Sequence, residues 1–189
     1  RFIYAGRLSA VKNVGPIIEA VNGYHRECEL VILGDGEERT ALMDLANESD
    51  RISFKGAVSP TMVQQFMKES DILVLNSVFE GIPMIMLEAI SLGLPIITTN
   101  VGGIKEVLTF GKDSEVTDGS IIKIREAMDK ICAEYKSYSI SAYEKSLKFD
   151  YRKVNGKIFD ILNEKLKWER SFNRSYQYLY CKRDKSSQW

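Results

Sequence analysis

The sequence predicts an α/β fold built on a doubly wound parallel sheet with helices on both faces. Two observations lead there. Short apolar runs alternate along the chain with segments of helical periodicity, the order that produces a parallel sheet. The runs are apolar at almost every position instead of every second one, as strands require when both faces are covered. No internal repeat and no Gly/Ser linker interrupts the pattern.

The first run, Phe2 to Ala5, stops at Gly6. Val14, Ile17, Ile18 and Val21 then recur at helical spacing and predict an amphipathic helix of about three turns. Leu30 to Leu33 is the second strand, closed by Gly34-Asp35-Gly36. A helix over 37–47 follows through Leu42, Leu45 and Ala46, with acidic residues in its first turn. Ile52 to Phe54 is a brief third strand. Ser59-Pro60 offers an N-cap and a proline at the first helical position ahead of Met62, Val63, Phe66 and Met67.

Ile72 to Leu75 makes the fourth strand, and 83–92 the next helix, stopped at Gly93. Ile96 to Thr98 is the fifth strand and 104–108 a short helix. Ile121, Ile124, Met128, Ile131 and Cys132 define a long helix. Val154, Ile158, Ile161 and Leu162 define the last, with Asp150 as its cap.

Composition narrows the function. The chain has 189 residues, 44% hydrophobic with only four prolines, which excludes a disordered or collagen-like chain. Its 26 basic and 26 acidic side chains cancel, which argues against a general nucleic-acid binder. No apolar run approaches the ~20 residues of a membrane span, and no signal peptide opens the chain. Cys28, Cys132 and Cys181 lie far apart without a CxxC pair, against a disulfide framework or a zinc site and in favour of a reducing compartment.

Doubly wound sheets bind ligands outside the carboxyl ends of their strands, where strand order reverses. The chemistry therefore belongs to the loops 6–12, 34–37, 77–83 and 100–103. In the first, Gly6 lets the backbone approach a ligand. Arg7 offers a planar fork for phosphate and Lys12 a mobile point charge. Two solvated surface charges are the alternative at that spacing. In the third, Pro83 opens a helix whose free amides at Met84 and beyond favour an anion. Glu88 sits in an apolar run, where an ionised carboxylate needs partners: ligand hydroxyls, or a structural amide or arginine.

Gly102-Gly103 signals either a tight strand-to-helix turn or a close backbone approach, and the turn suffices. Gly34-Asp35-Gly36 suggests a dinucleotide fingerprint, but Arg39 stands where the third glycine belongs. His25, the only histidine, suits a helix terminus or the surface. No Ser–His–Asp set, Walker loop or HExxH is present.

Taken together, the loops resemble the C-terminal, donor-binding half of a retaining glycosyltransferase of GT-B fold, a Rossmann-like domain. The family is that of glycogen synthases, sucrose synthases and bacterial mannosyltransferases, glycosyltransferases group 1. The resemblance runs from Arg1 to Lys167. It rests on Gly6-Arg7-Leu8 with Lys12, Gly34-Asp35-Gly36-Glu37, Arg51-Ile52-Ser53-Phe54-Lys55-Gly56, and 77–83 through Glu88-Ala89. Gly93-Leu94-Pro95-Ile96-Ile97 and 101–106 complete it, in the family's order and spacing.

The resemblance implies that Arg7 and Lys12 bind the donor diphosphate and stabilise the leaving nucleotide. It implies that Glu80 contacts sugar hydroxyls beside the backbone of Gly81 and Ile82, and that the amides after Pro83, at Met84 and Ile85, meet the phosphates. Glu88 would accept from the ribose hydroxyls, the segment around Ile52 and Gly56 would border the base, and Gly6 and Gly34 would line the donor site. The implied donor is a UDP- or GDP-linked sugar, with no cofactor and no metal.

The sequence departs from the family in lacking a Gly-rich segment at 110–115 and in carrying Asn76 where proline is common. The resemblance also sets an acceptor-binding N-terminal domain ahead of Arg1, outside this chain, so that these 189 residues alone are inactive. The expected domains are a donor-binding unit over 1–167 and a basic, aromatic tail over 168–189. The tail holds five Lys/Arg against two Asp/Glu and six aromatics in 22 residues. It packs on the missing domain, is disordered, or meets a membrane interface. The expected location is cytoplasmic, peripheral on the membrane if the tail meets lipid. The expected function is sugar transfer to a saccharide or lipid-linked acceptor with retention. A same-fold nucleotide-sugar epimerase and a non-catalytic binding or assembly module are the alternatives.

Overall fold

The structure, a computed structural model, describes residues 1–149. The predicted helix over 154–162, its cap Asp150, Cys181 and the tail lie outside the described residues. One compact unit spans Arg1–Leu147.

Six parallel strands form one sheet: β1 (Phe2–Ala5), β2 (Leu30–Leu33), β3 (Ile52–Gly56), β4 (Ile72–Leu75), β5 (Ile96–Thr99) and β6 (Ser114–Thr117). Their order is β3-β2-β1-β4-β5-β6. Every residue of β1, β2, β4 and β5 is buried. Successive side chains of a strand point to opposite faces, so unbroken burial means that both faces are covered.

Between the strands run α1 (Gly15–Asn22), α2 (Arg39–Ala46), α3 (Pro60–Lys68), α4 (Met84–Ser91) and α5 (Ile104–Val107). After β6 come α6 (Ile121–Ala133) and α7 (Tyr135–Ser146). Helix α1 packs against α2 and α6, and α4 packs against α7. Ile17, Ile18, Ala20 and Val21 are the buried stripe of α1, and Ile124, Ala127, Met128 and Ile131 that of α6. Ser59 caps α3 as its sequence predicts, accepting from the Met62 amide at 3.3 Å.

Several expectations are corrected. Helix α1 has eight residues, little over two turns, and ends at Gly23. Helix α2 starts at Arg39, so Glu37 and Glu38 precede its first turn; the Glu38 amide is drawn to the Leu8 carbonyl at 3.1 Å. Pro83 is the N-cap of α4 and not its first residue, with φ −65° and ψ 122° and its carbonyl accepting from Met86 at 3.0 Å. The apolar runs predict five strands, and the structure adds β6 and α7. Ser114, Glu115 and Thr117 are polar yet buried, and α7 alternates apolar and polar residues without a clear helical stripe. Glu115 is held there by the Tyr138 hydroxyl and by Lys130 Nζ at 2.8 Å.

Strand order reverses between β1 and β4, which pair in parallel as neighbours. The chain leaves β1 toward β2 on one side and β4 toward β5 on the other. The loops that follow them diverge and leave a crevice at their carboxyl ends.

Candidate functional site

At this crevice the loop after β1 and the loop after β4 are bound together. The backbone amide of Val78 donates to the Val11 carbonyl at 2.8 Å. The short 3-10 turn Ala10–Lys12 ends on Asn13, a left-handed residue at φ 49°, and this presents Lys12 toward Glu80. Lys12 Nζ pairs with Glu80 Oε1, and Ser77 Oγ donates to the same oxygen at 3.0 Å. Lys12 is 25% exposed and Glu80 13%, so the pair is half withdrawn from water yet open on one side.

Arg7 behaves differently. Its side chain is 73% exposed and reaches Glu37 at 3.2 Å, across the gap to the loop after β2. Beneath it Tyr4, buried within β1, donates its hydroxyl to the Arg7 carbonyl at 2.9 Å. Burial, and then the nearby Glu80 and Glu38 carboxylates, hold the Tyr4 phenol well above its ordinary value. It stays neutral and serves as a donor beneath the loop. Glu37, on the surface, is held below the usual carboxylate range, first by its own backbone amide and then by Arg7.

The amides of Met84 and Ile85 start α4, where an α-helix has no intrahelical acceptor for them. Glu88 lies four residues after Met84 and on the same face of the helix. It is half-buried, and its carboxylate has neither a hydrogen bond nor an ion pair among the described residues. Beside these groups Val11, Val78, Phe79, Ile82 and Met84 form an exposed apolar rim. A pocket of about 180 Å³ opens at the ends of β1 and β2, lined by Gly6, Arg7, Gly34 and Asp35 with Val58 and Val63.

At Gly34 and Gly102 the space a side chain would take is filled by neighbouring backbone. Gly34 has φ +124°, and a Cβ there would lie 1.9 Å from the Gly6 carbonyl oxygen. Gly102 has φ +56°, and its Cβ would lie 1.9 Å from the Glu80 carbonyl oxygen, while the Gly103 amide donates to Gly81 at 3.1 Å. The pair Gly102-Gly103 thus serves close approach between loops as well as a turn. Gly81 itself faces open space.

The structure brings together Gly6, Arg7, Lys12 and Gly34 on one side and Glu80, Gly81, Ile82, Pro83, Met84, Ile85 and Glu88 on the other. It corrects Ile52. That residue opens β3 in register with Leu30, at the amino edge of the sheet, and only Gly56 at the far end of the strand reaches the crevice side. His25 lies on the surface past α1, 3.6 Å from Asp129. The sequence assigns no site role to Tyr4 or Asn76, and it places Ser77 in the chemistry-bearing loop 77–83 without a role of its own. Ser77, three residues before Glu80, was the one visible signal.

Fold and crevice define a Rossmann-like α/β domain, the C-terminal half of a GT-B fold. Within that class the chain belongs to the family of glycosyl transferases group 1, whose sequence profile matches residues 1–145. It is 33% identical over 129 residues to the lipopolysaccharide 1,6-galactosyltransferase of Salmonella typhimurium, covering 64% of this chain and 36% of that protein. Its fold is that of Alr3699/HepE of Anabaena, crystallised with UDP, at TM-score 0.76 and 19% identity over 86% of this chain and 48% of that one. It also matches the C-terminal domain of the group 1 glycosyl transferase LpcC of Francisella tularensis, at TM-score 0.68 and 20% identity over 79% and 85%. The matched stretch covers between 26% and 39% of the first curated relatives compared, less than half of each.

Proposed function

We propose that the chain is the nucleotide-sugar-binding half of a glycosyltransferase that transfers a sugar, with retention, to a saccharide or lipid-linked acceptor. The observation that carries this reading is the Lys12–Glu80 pair, held by Ser77 at the β1/β4 switch point beside the opening turn of α4. Departure of a nucleoside diphosphate builds negative charge. A cation fixed before the donor arrives stabilises that charge with little reorganisation. Lys12 supplies the fixed charge and Arg7, on a long exposed arm, closes over the diphosphate from the other side. The amides of Met84 and Ile85 meet phosphate oxygens. The Glu88 carboxylate, without a partner among the described residues, accepts from vicinal ribose hydroxyls, and Glu80 turns its second oxygen to the sugar.

The UDP found with the Anabaena protein supports a nucleoside diphosphate as the ligand class and favours UDP over GDP as the first to try. Polysaccharide or glycolipid assembly on the cytoplasmic side of a membrane is the setting this reading fits. Calorimetry of the chain with UDP, GDP and the corresponding nucleosides tests it. Binding of one diphosphate more tightly than its nucleoside is the expected result. A folded chain that binds neither diphosphate overturns the reading. Retention is tested on the longer protein by the anomeric coupling constant of the product.

A further inference from the structure

We infer that Asn76 is a positioning residue that sets Lys12 in place for the diphosphate. This rests on the donor-binding reading above and adds to it a residue that touches neither donor nor sugar. The turn carrying Lys12 has little of its own to hold it. No residue of 10–12 is buried, and its internal bonds are two short-range ones, Lys12 to Ser9 at 2.8 Å and Asn13 to Ala10 at 3.2 Å. It is anchored on either side of Lys12 by the exit of β4. Val78 holds the carbonyl of residue 11 at 2.8 Å, and Asn76 Nδ2 holds the carbonyl of residue 13 at 3.0 Å. Between them Ser77 holds Glu80, which holds Lys12. Three consecutive residues thus govern one cation from three directions.

The Asn76 side chain shows what this position is used for. It is 1% exposed, and its Nδ2 donates a second time, to the Gly119 carbonyl at 3.2 Å in the loop after β6. Its Oδ1 is buried with no hydrogen-bond partner among the described residues. A flipped amide would aim that oxygen at two carbonyls, so the orientation is dictated by the two donors. Burying an acceptor unsatisfied is costly, and such groups in native folds call for an explanation. The explanation here is that only a side chain with two donors on one nitrogen can bind the β1 loop and the β6 loop at once. Aspartate has the same shape without those donors, and threonine or serine has only one.

The test is a double-mutant cycle on UDP binding by this chain, with GDP in its place if GDP is the nucleotide bound. Asn76→Ala and, as the isosteric variant, Asn76→Asp should each weaken UDP binding by roughly tenfold, while uridine binding and the melting temperature of the Lys12→Ala variant serve as controls. In the Lys12→Ala background the same changes should cost less than about twofold, because the group they position is gone. Equal losses in both backgrounds, equal losses for UDP and uridine, or unchanged UDP affinity overturn the inference. Unfolding of both variants also overturns it, since the amide would then hold the domain and not the site. An unchanged chain that binds neither UDP nor GDP fails earlier, and overturns the donor-binding reading instead.

Discussion

The two edges of this sheet are held by different forces. At the amino edge, Arg1 pairs with Glu29 at 2.8 Å and Glu69 at 3.8 Å, and these side chains are 37% to 58% exposed. At the carboxyl edge the loops touch backbone to backbone, and the polar groups that join them are buried or half-buried: Ser77, Asn76, Lys12 and Glu80. Exposed pairs gain little over water and are screened by salt, so the amino edge tolerates change. The carboxyl edge has no such slack, because carbonyl oxygens of one loop occupy the space a side chain of the next would need. Rigidity is concentrated where a ligand would need fixed charges.

The largest effect should come from breaking a close approach. Gly34→Ala sets a Cβ against the Gly6 carbonyl at a backbone angle few other residues adopt, and strain plus overpacking should cost roughly 3–5 kcal/mol in urea unfolding. A cost under about 1 kcal/mol would erase the contrast between the edges. Next, Lys12→Ala should lower UDP affinity by about 30-fold, the loss of one charge-assisted contact, and leave the chain folded.

Arg7→Ala sharpens the comparison within the carboxyl edge itself. Its guanidinium is largely in water, so the loss in UDP affinity should be smaller, about three- to fivefold. Equal losses for Arg7 and Lys12 would mean that burial does not separate the two cations. The same variant should raise the Glu37 titration only part of the way to its ordinary value, because its own backbone amide is the first cause of the depression. The sign follows from a carboxylate favoured in the fold. Any contribution of the Arg7–Glu37 pair is present above the ordinary carboxylate range and disappears as pH falls through the lowered value. NMR titration of the Glu37 side chain checks both points. The smallest effect belongs to the amino edge, where Glu29→Ala should change stability by less than about 0.5 kcal/mol and UDP affinity not at all.

Four of the six strands, β1, β2, β4 and β5, were legible because a strand covered on both faces is written as a continuous apolar run, whereas β3, only partly buried, showed as the brief run from Ile52 to Phe54. Strand β6 was illegible for the converse reason. Its Ser114 and Glu115 are buried with polar partners, Ser114 donating to its neighbour Asp113 at 2.8 Å and Glu115 receiving Tyr138 and Lys130 from further along the chain. Ile52 misled because a motif names a strand without saying which end of it faces the crevice. Arg7, Lys12, Glu80 and Glu88 were legible as residues with chemistry. That Lys12 and Glu80 form one unit was not, since 68 positions separate them.

Local order along the chain was therefore enough for the α/β class, the parallel sheet and the loops that matter, because hydrophobic burial and turn chemistry act over a few residues at a time. Only the folded arrangement decided which loop carbonyls fill the glycines, which carboxylate holds Lys12, and that the amide of Asn76 joins the loops after β1 and β6. Those are contacts between segments brought together by strand order, and their strength depends on distances of tenths of an ångström that no local pattern encodes.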